Sequence, residues 1–462
     1  MRTGSNEAPA SQVFPRQIGT SLPTIDRGEG IYLFDTDGRR YIDASGGGPA
    51  VACLGHNDAD VIAAIKDQID RIAFAHTGYF TSEAAESLAR LLIESAPPGF
   101  GKVYFTGSGS EAVEAALKMA RHYFAQLGWT SKTKFIARHQ SYHGATLGAI
   151  PIGGVEWRRR LYEALTMQCS FIPPCYSYRF KEPGETEEAY GRRVADALEA
   201  EILRLGPENV AAFVAETVVG ATAGVVPAVP GYFARIREIC ERHKVLLILD
   251  EVMCGMGRTG ATFACLDEGI SPDLICVAKG LAGGYQPIAA VLVSDQVYQV
   301  FADGDRMFHH GQTYMGHPAG CAAALAVQTK IRTRGLLANV REQGRYLMNE
   351  LALRLGAHPQ VGDIRGRGLF VGIELVADKE SKAPFDPTIK LHNRIKHAAL
   401  RRGLICYPGG GTVDGKLGDH ILLAPPYIVD RSAIDQIVEL LAAAIDDAIC
   451  AIPIGQRRIC EA

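Results

Sequence analysis

The chain has 462 residues, 47% of them hydrophobic and 21% charged, with 48 Lys+Arg against 51 Asp+Glu for a net charge of −3. That length supports two or three domains with a core that needs no disulfide or metal staple, and the balanced charge gives no electrostatic basis for binding nucleic acid or an anionic membrane. No apolar run approaches the ~18 residues of a membrane helix, the polar Met1–Thr20 stretch lacks the apolar region of a secretory leader, and eleven cysteines without a CxxC pair read as reduced thiols in a cytoplasmic, metal-free protein.

In chain order, residues 1–24 read as a flexible arm. Residues 30–44 alternate apolar and polar positions around Asp37-Gly38, which predicts a hairpin. Helical periodicity covers Val61–Ile72 and Ser82–Ser95, with Ser82 placed as an N-cap. From about 100 to 295 the pattern becomes strand, loop, helix. Short β-rich runs lie at Lys102–Phe105, Lys134–Ala137, Ala211–Ala215, Val245–Leu249, Leu274–Val277 and Ala289–Val293. This alternation predicts an α/β fold with a mostly parallel sheet covered on both faces. The charge-rich 181–200 stretch reads as a solvated helix entry. Beyond 320, amphipathic helices at Ala322–Thr333, Leu336–Leu355, Ile389–Arg402 and Ser432–Ile449 surround strands at Leu369–Leu375 and His420–Ala424. The expected division is a large domain over 76–319 and a smaller α+β domain built from 25–75 and 320–462.

The chain holds 50 glycines, gathered in clusters between apolar runs as where backbone approaches a ligand closely. Four such places carry chemistry. A strand runs into Gly107-Ser108-Gly109-Ser110 and then a helix, which makes an anion seat of free N–H groups at a positive dipole end; an ordinary capped turn reads the same way. The run Val245–Leu249 ends in Asp250-Glu251, which aims an acid into the crevice at the carboxyl end of the sheet, where a metal carboxylate or a helix cap is the alternative. Lys279 follows the apolar run Leu274–Val277 into a Gly-rich turn. A lysine buried there must be paired, neutral or covalently used, as in Schiff-base chemistry, unless it reaches solvent. Tyr142 and His143 follow another strand and are placed to stack on a flat ring, or simply to pack in their loop. A phosphate seat, a ring-stacking aromatic, a buried acid and a strand-end lysine are together the parts that hold pyridoxal phosphate.

With these residues the chain resembles the class III pyridoxal-phosphate aminotransferases, of the aspartate aminotransferase fold (fold type I), over roughly residues 24–450. The resemblance rests on Leu33-FDTDGRRYID, Leu54-GH, Gly109-SEAVEAALKMAR, Tyr142-HG, Glu216 with Gly220, Leu249-DEVMCGMGRTG, Ala278-KG, His310-GQTYMGHPAG, Gly366-RGLFVGIEL and Leu423-APPY. It implies that Lys279 bonds the cofactor aldehyde and then moves the substrate proton, and that Asp250 keeps the pyridine nitrogen protonated. It also implies that Val252 and Tyr142 cover the two ring faces, that the Gly109 and Ser110 N–H groups take the phosphate, and that Glu216 sits near the phenolic edge. Thr313 resembles the phosphate ligand donated by a neighbouring subunit, implying a homodimer. Phe80, Tyr142 and the Tyr407–Gly418 loop fall where the family places substrate walls.

The segments around Ser141-YHG and His310-GQTYMGHP resemble the ω-amino acid–pyruvate and amine–pyruvate branch. The expected reaction moves an amino group from an amine or ω-amino acid to a keto acid such as pyruvate by a ping-pong route. An amino-acid racemase, epimerase or decarboxylase on the same scaffold, or a non-catalytic cofactor-binding protein, is the alternative. The resemblance also implies an arginine for the substrate carboxylate, in the loop before the APP strand or within that strand. Tyr407 and Leu422 stand at those places here. Two expectations follow: a roomier pocket with less preference for anions, or an arginine supplied from Arg158–Arg160 or the N-terminal arm.

Overall fold

In the computed structural model, which describes residues 11–19 and 22–452, the central sheet has seven strands. Their spatial order is Phe100–Thr106, Ala289–Ser294, Leu274–Val277, Leu246–Asp250, Val210–Glu216, Lys134–Arg138 and Cys169–Ile172. Neighbours from Leu274–Val277 to Cys169–Ile172 pair in parallel, whereas Ala289–Ser294 runs antiparallel to both strands beside it. The fold is therefore α/β with a mostly parallel sheet.

Strand alternation decides which helix each residue meets. Ala212, Val214, Leu246, Ile248, Leu274 and Cys276 share one core with Val113, Ala116, Leu117 and Phe124 of the helix Gly109–Gln126. Phe213, Ala215, Leu247, Leu249, Ile275 and Val277 face the other way, onto Tyr190, Val194 and Leu198 of Glu187–Leu205 and onto Phe233 and Ile236 of Tyr232–Arg242. Burial on both faces explains why these strands are apolar throughout. Each fully buried Leu, Ile, Val or Phe contributes about 1.5–3 kcal/mol.

Two further four-stranded sheets flank this layer. The hairpin Tyr32–Asp35 and Arg40–Asp43 forms as its Asp37-Gly38 signal predicts: Gly38 has φ +78° and Asp35 Oδ1 accepts the N–H groups of Asp37 and Arg39. It is extended by Ile25–Glu29 on one side and by the distant Leu404–Ile405 on the other. The second small sheet has the order Val361–Arg367, Phe370–Leu375, Asp419–Leu423, Tyr407–Gly410. Helices Pro318–Thr333, Leu336–Leu355, Leu391–Arg401 and Arg431–Cys450 surround these sheets. The fully buried Glu374 fastens the second sheet to the central one. It accepts hydrogen bonds from Arg179 at 2.6 Å, from Arg365 at 2.7 Å and from the Tyr176 hydroxyl, while Arg365 also donates to the carbonyls of Ala223 and Val225.

The expected 1–24 arm lies partly outside the described residues. The described cysteines are free thiols, and among the described residues no helix is long and apolar enough to cross a membrane.

Candidate active site

Strand register assembles the site. Leu246–Asp250 sits between two parallel neighbours, so that Asp250 lies opposite Glu216 on one side and opposite Cys276 on the other. Lys279 comes three residues after Cys276, just beyond the end of its strand. Two carboxylates and one amine thus reach the carboxyl edge of three adjacent strands, where open α/β sheets bind ligands. Lys279 holds φ +47°, a left-handed backbone that a branchless turn residue would adopt more cheaply and that concentrates at functional sites. All three side chains line one cavity of about 460 Å³ together with Gly107 to Ser110, Tyr142, His143 and Val252.

The acidic pair divides by strand alternation. Asp250 faces the cavity; its Oδ2 lies 2.8 Å from His143 Nδ1 and its Oδ1 accepts the Val252 N–H at 3.0 Å. Glu251 turns the other way and accepts from the Ala264 N–H (2.6 Å), the Cys265 N–H (2.7 Å) and the Thr217 hydroxyl (2.9 Å). It ties down the glycine-rich loop that follows. Glu216 accepts from the N–H groups of Gly220 at 3.1 Å and Tyr142 at 3.3 Å. Burial pushes the Glu216 carboxyl up, an effect that His143 opposes and Asp250 reinforces. Burial pulls the Lys279 ammonium below the ordinary lysine range, although Asp250 and Glu216 hold it partly up. That shift lowers the cost of giving up the proton, which a nucleophilic amine requires.

At the opposite wall, Ser108 caps the helix Gly109–Gln126. Its hydroxyl accepts the Glu111 N–H, and the Glu111 carboxylate folds back onto the Gly107 N–H at 2.8 Å, a variant of the reciprocal capping box. The N–H groups of Gly109 and Ser110 have no acceptor among the described residues, as the first turn of a helix leaves them. A Cβ at Gly109 would stand 2.8 Å from Val252 Cγ1, so this wall admits only glycine. The Ser110 hydroxyl accepts the Ala145 N–H at 3.0 Å and draws the Tyr142 loop against the helix.

The structure thus brings together Lys279, Asp250, Glu216, Gly109, Ser110, Tyr142, His143 and Val252. Three expected residues stand apart from this cavity: Phe80 is 68% exposed, Thr313 is exposed, and Tyr407 packs beside Phe370 and Leu422. His143 departs from the ring-stacking expectation. Its side chain is fully enclosed and its Nδ1 is committed to Asp250, so it acts on the acid. The segment read as a loop from Tyr407 begins as the strand Tyr407–Gly410, paired with Asp419–Leu423. Its glycines clear two imidazoles: a Cβ at Gly409 would lie 2.6 Å from His420 Nε2, and one at Gly410 would lie 2.5 Å from His392 Cε1.

Sequence reasoning missed two contributors. Val51 enters the cavity after the Gly46-Gly47-Gly48 run, a glycine cluster whose signal was available. Gln140 donates through Nε2 to the carbonyls of Gly411 (2.6 Å) and Thr412 (3.0 Å), while its own carbonyl accepts from the Thr222 hydroxyl at 2.7 Å. Nothing in a lone glutamine announces such a long-range tie.

The residues present fit pyridoxal phosphate: unsatisfied N–H groups for a phosphate, a glycine-lined wall for a flat ring, a cavity-facing carboxylate for the ring nitrogen and a cavity-lining amine for the aldehyde. Comparison with known proteins agrees. The profile of the family described as Aminotransferase class-III matches residues 13–445. The chain is 46% identical to an uncharacterized aminotransferase of Schizosaccharomyces pombe, covering 93% of this chain and 94% of that protein. It is 37% identical to the diaminobutyrate–2-oxoglutarate transaminase of Halomonas elongata, with 91% and 90% covered. Among solved structures, the ω-transaminase of Pseudomonas jessenii in complex with PMP superposes with a TM-score of 0.89 at 35% identity, covering 95% of this chain and 97% of that one. With fold, site and relatives in agreement, the chain belongs to the class III aminotransferases, pyridoxal-phosphate-dependent enzymes of fold type I.

Proposed function

We propose that this transaminase moves an amino group from an amine or ω-amino acid to a keto acid, with pyruvate as acceptor, in a ping-pong exchange. One observation carries the reading: a half-buried lysine, strained at φ +47°, shares a cavity with two carboxylates delivered by adjacent strands. When bound, the cofactor supplies an aldehyde for the amino group and a pyridine ring that draws electrons from the amino carbon. Asp250, oriented by His143, holds the proton on the ring nitrogen. Lys279, its ammonium destabilised by burial, takes the proton from the amino carbon and returns it. The Gly109 and Ser110 N–H groups bind the phosphate, Val252 and Tyr142 hold the ring faces, and Glu216 hydrogen-bonds near the phenolic edge.

The reading includes a homodimer. Thr313 is exposed and outside its own chain's cavity, as a phosphate ligand given to a second copy must be. Phe80, exposed and outside its own chain's cavity, is assigned to the substrate wall on the same grounds, and Tyr407, packed beside Phe370 and Leu422, is assigned there by the resemblance alone. The ω-transaminases among the structural neighbours support an amine donor. The diaminobutyrate–2-oxoglutarate transaminase supplies the competing acceptor.

The test is a pair of half-reactions on purified holoenzyme. A β-alanine, diamine or aryl-ethylamine donor should convert the cofactor from its aldehyde to its amine absorption spectrum without any acceptor present, and pyruvate should then restore the aldehyde form. No conversion with any donor would sink the reading; restoration by 2-oxoglutarate alone would replace the acceptor.

A further inference from the structure

We infer that Arg158 binds the carboxylate of the substrate. The inference rests on the transaminase reading of this cavity and names the group that selects its acids. Neither place where the family resemblance puts an arginine is cationic: Tyr407 packs into the small-sheet core and Leu422 is buried in its strand. The strand leading into this loop is filled by the His420 and His392 imidazoles beneath Gly409 and Gly410, which leaves no room for a longer side chain.

The same loop, however, comes down on the segment that carries three consecutive arginines. At Gly415 a Cβ would touch the side chains of Gln140, Val155 and Trp157, at 3.5 to 4.0 Å. From that segment Arg159 turns inward; it donates to the Gly153 carbonyl at 2.8 Å and lies 4.2 Å over the Phe171 ring. Arg158 turns instead to Tyr142. Its guanidinium carbon stands 5.3 Å from the centroid of the Tyr142 ring, and Tyr142 lines the cavity. The Trp157 ring supports it at 4.5 Å.

This placement leaves the cation uncommitted. Among the described residues the Arg158 guanidinium meets no carboxylate and no carbonyl; its partners are the two aromatic rings. Stacking occupies a guanidinium's face and leaves free its edge of N–H donors, whose fork matches a carboxylate bidentately. The inner part of the cavity carries Asp250 and Glu216, which repel an anion, and its amine Lys279 is engaged in the chemistry. A keto acid therefore keeps its carboxylate at the mouth, over Tyr142, and points its carbonyl inward. An amine without a carboxylate needs no such partner.

The experiment compares pyruvate with propanal as acceptors, and adds titration of the holoenzyme with propanoate by calorimetry. In Arg158→Leu, the ratio of kcat/KM for pyruvate over that for propanal should fall about tenfold or more, through KM, and propanoate binding should weaken in parallel. Arg158→Lys should recover part of both, and Arg160→Leu should leave both unchanged. A ratio and a propanoate affinity within twofold of the parent in Arg158→Leu would overturn the inference. Arg158-dependent propanoate binding in an enzyme that transfers no amino group would uphold it and overturn the functional reading instead.

Discussion

His143 Nδ1 lies 2.8 Å from Asp250 Oδ2, with the His143 side chain fully enclosed. The cavity acid is therefore one half of a fixed pair whose second oxygen is held by the Val252 N–H. Replacing His143 with Leu should lower kcat about 10- to 100-fold, as loss of an orienting partner does elsewhere, and His143→Gln should restore part of it through its amide donor. The check that separates positioning from folding is the pH titration of the bound cofactor's absorbance. It should move in His143→Leu and return toward the parent in His143→Gln.

Lys279 carries two expectations of different kind. Amino transfer in Lys279→Ala should fall by at least about 10²–10⁴-fold. In the cofactor-free protein, Lys279→Met should unfold at a higher temperature than the parent at neutral pH. Burial depresses the native ammonium while the unfolded lysine keeps its proton, so the parent loses stability as pH falls below the unfolded value. The difference should shrink toward the ordinary lysine range. Calorimetric scans across pH decide it, and a lower melting temperature for the variant at neutral pH would refute the account.

His420 should give the protein an acid-sensitive seam. Burial, reinforced by Arg365, pulls its imidazole down to about 3. Below the unfolded value of ordinary histidine the unfolded chain gains a proton that the native one refuses. Stability is therefore complete above that range and is lost as pH falls toward 3, at up to about 1.4 kcal/mol per pH unit for one group. Denaturant melts at a series of pH values should show His420→Asn less stable at neutral pH yet with a shallower acid decline.

Gly109→Ala should weaken pyridoxal phosphate binding by about tenfold or more, because its Cβ would meet Val252 Cγ1 at 2.8 Å. Equilibrium dialysis measures the loss. The added change Val252→Ala should recover part of it by opening the wall; no recovery would place the fault elsewhere in the helix start.

What the sequence disclosed depended on where the free energy resides. Leu274–Val277 and Leu336–Leu355 coincide with their patterns because continuous burial and helical period dominate there. Asp250 and Lys279 were legible for the same reason, as polar residues at the ends of strands with no other polar content. Cys169–Ile172 carries little strand signal of its own, because it is short and Pro173 follows it at once. Tyr407–Gly410 contradicts strand propensity outright: its glycines clear His420 and His392, a tertiary demand that local pattern does not carry, and its proline is tolerated because the strand lies at the sheet edge. Glu216's partners, Arg158's stacking and the side of Asp250 that His143 holds are likewise products of register and loop docking.

Gln140 has a consequence for how this enzyme can change. It grips the Gly411 and Thr412 carbonyls, groups that every amino acid possesses, so the tie itself asks nothing of their side chains. What fixes the residues of the loop is its backbone instead, with Gly411, Gly415 and Gly418 at φ +80° to +90°. Holding the loop is thus the work of main-chain atoms and glycine geometry, kept apart from the side chains that form the catalytic floor.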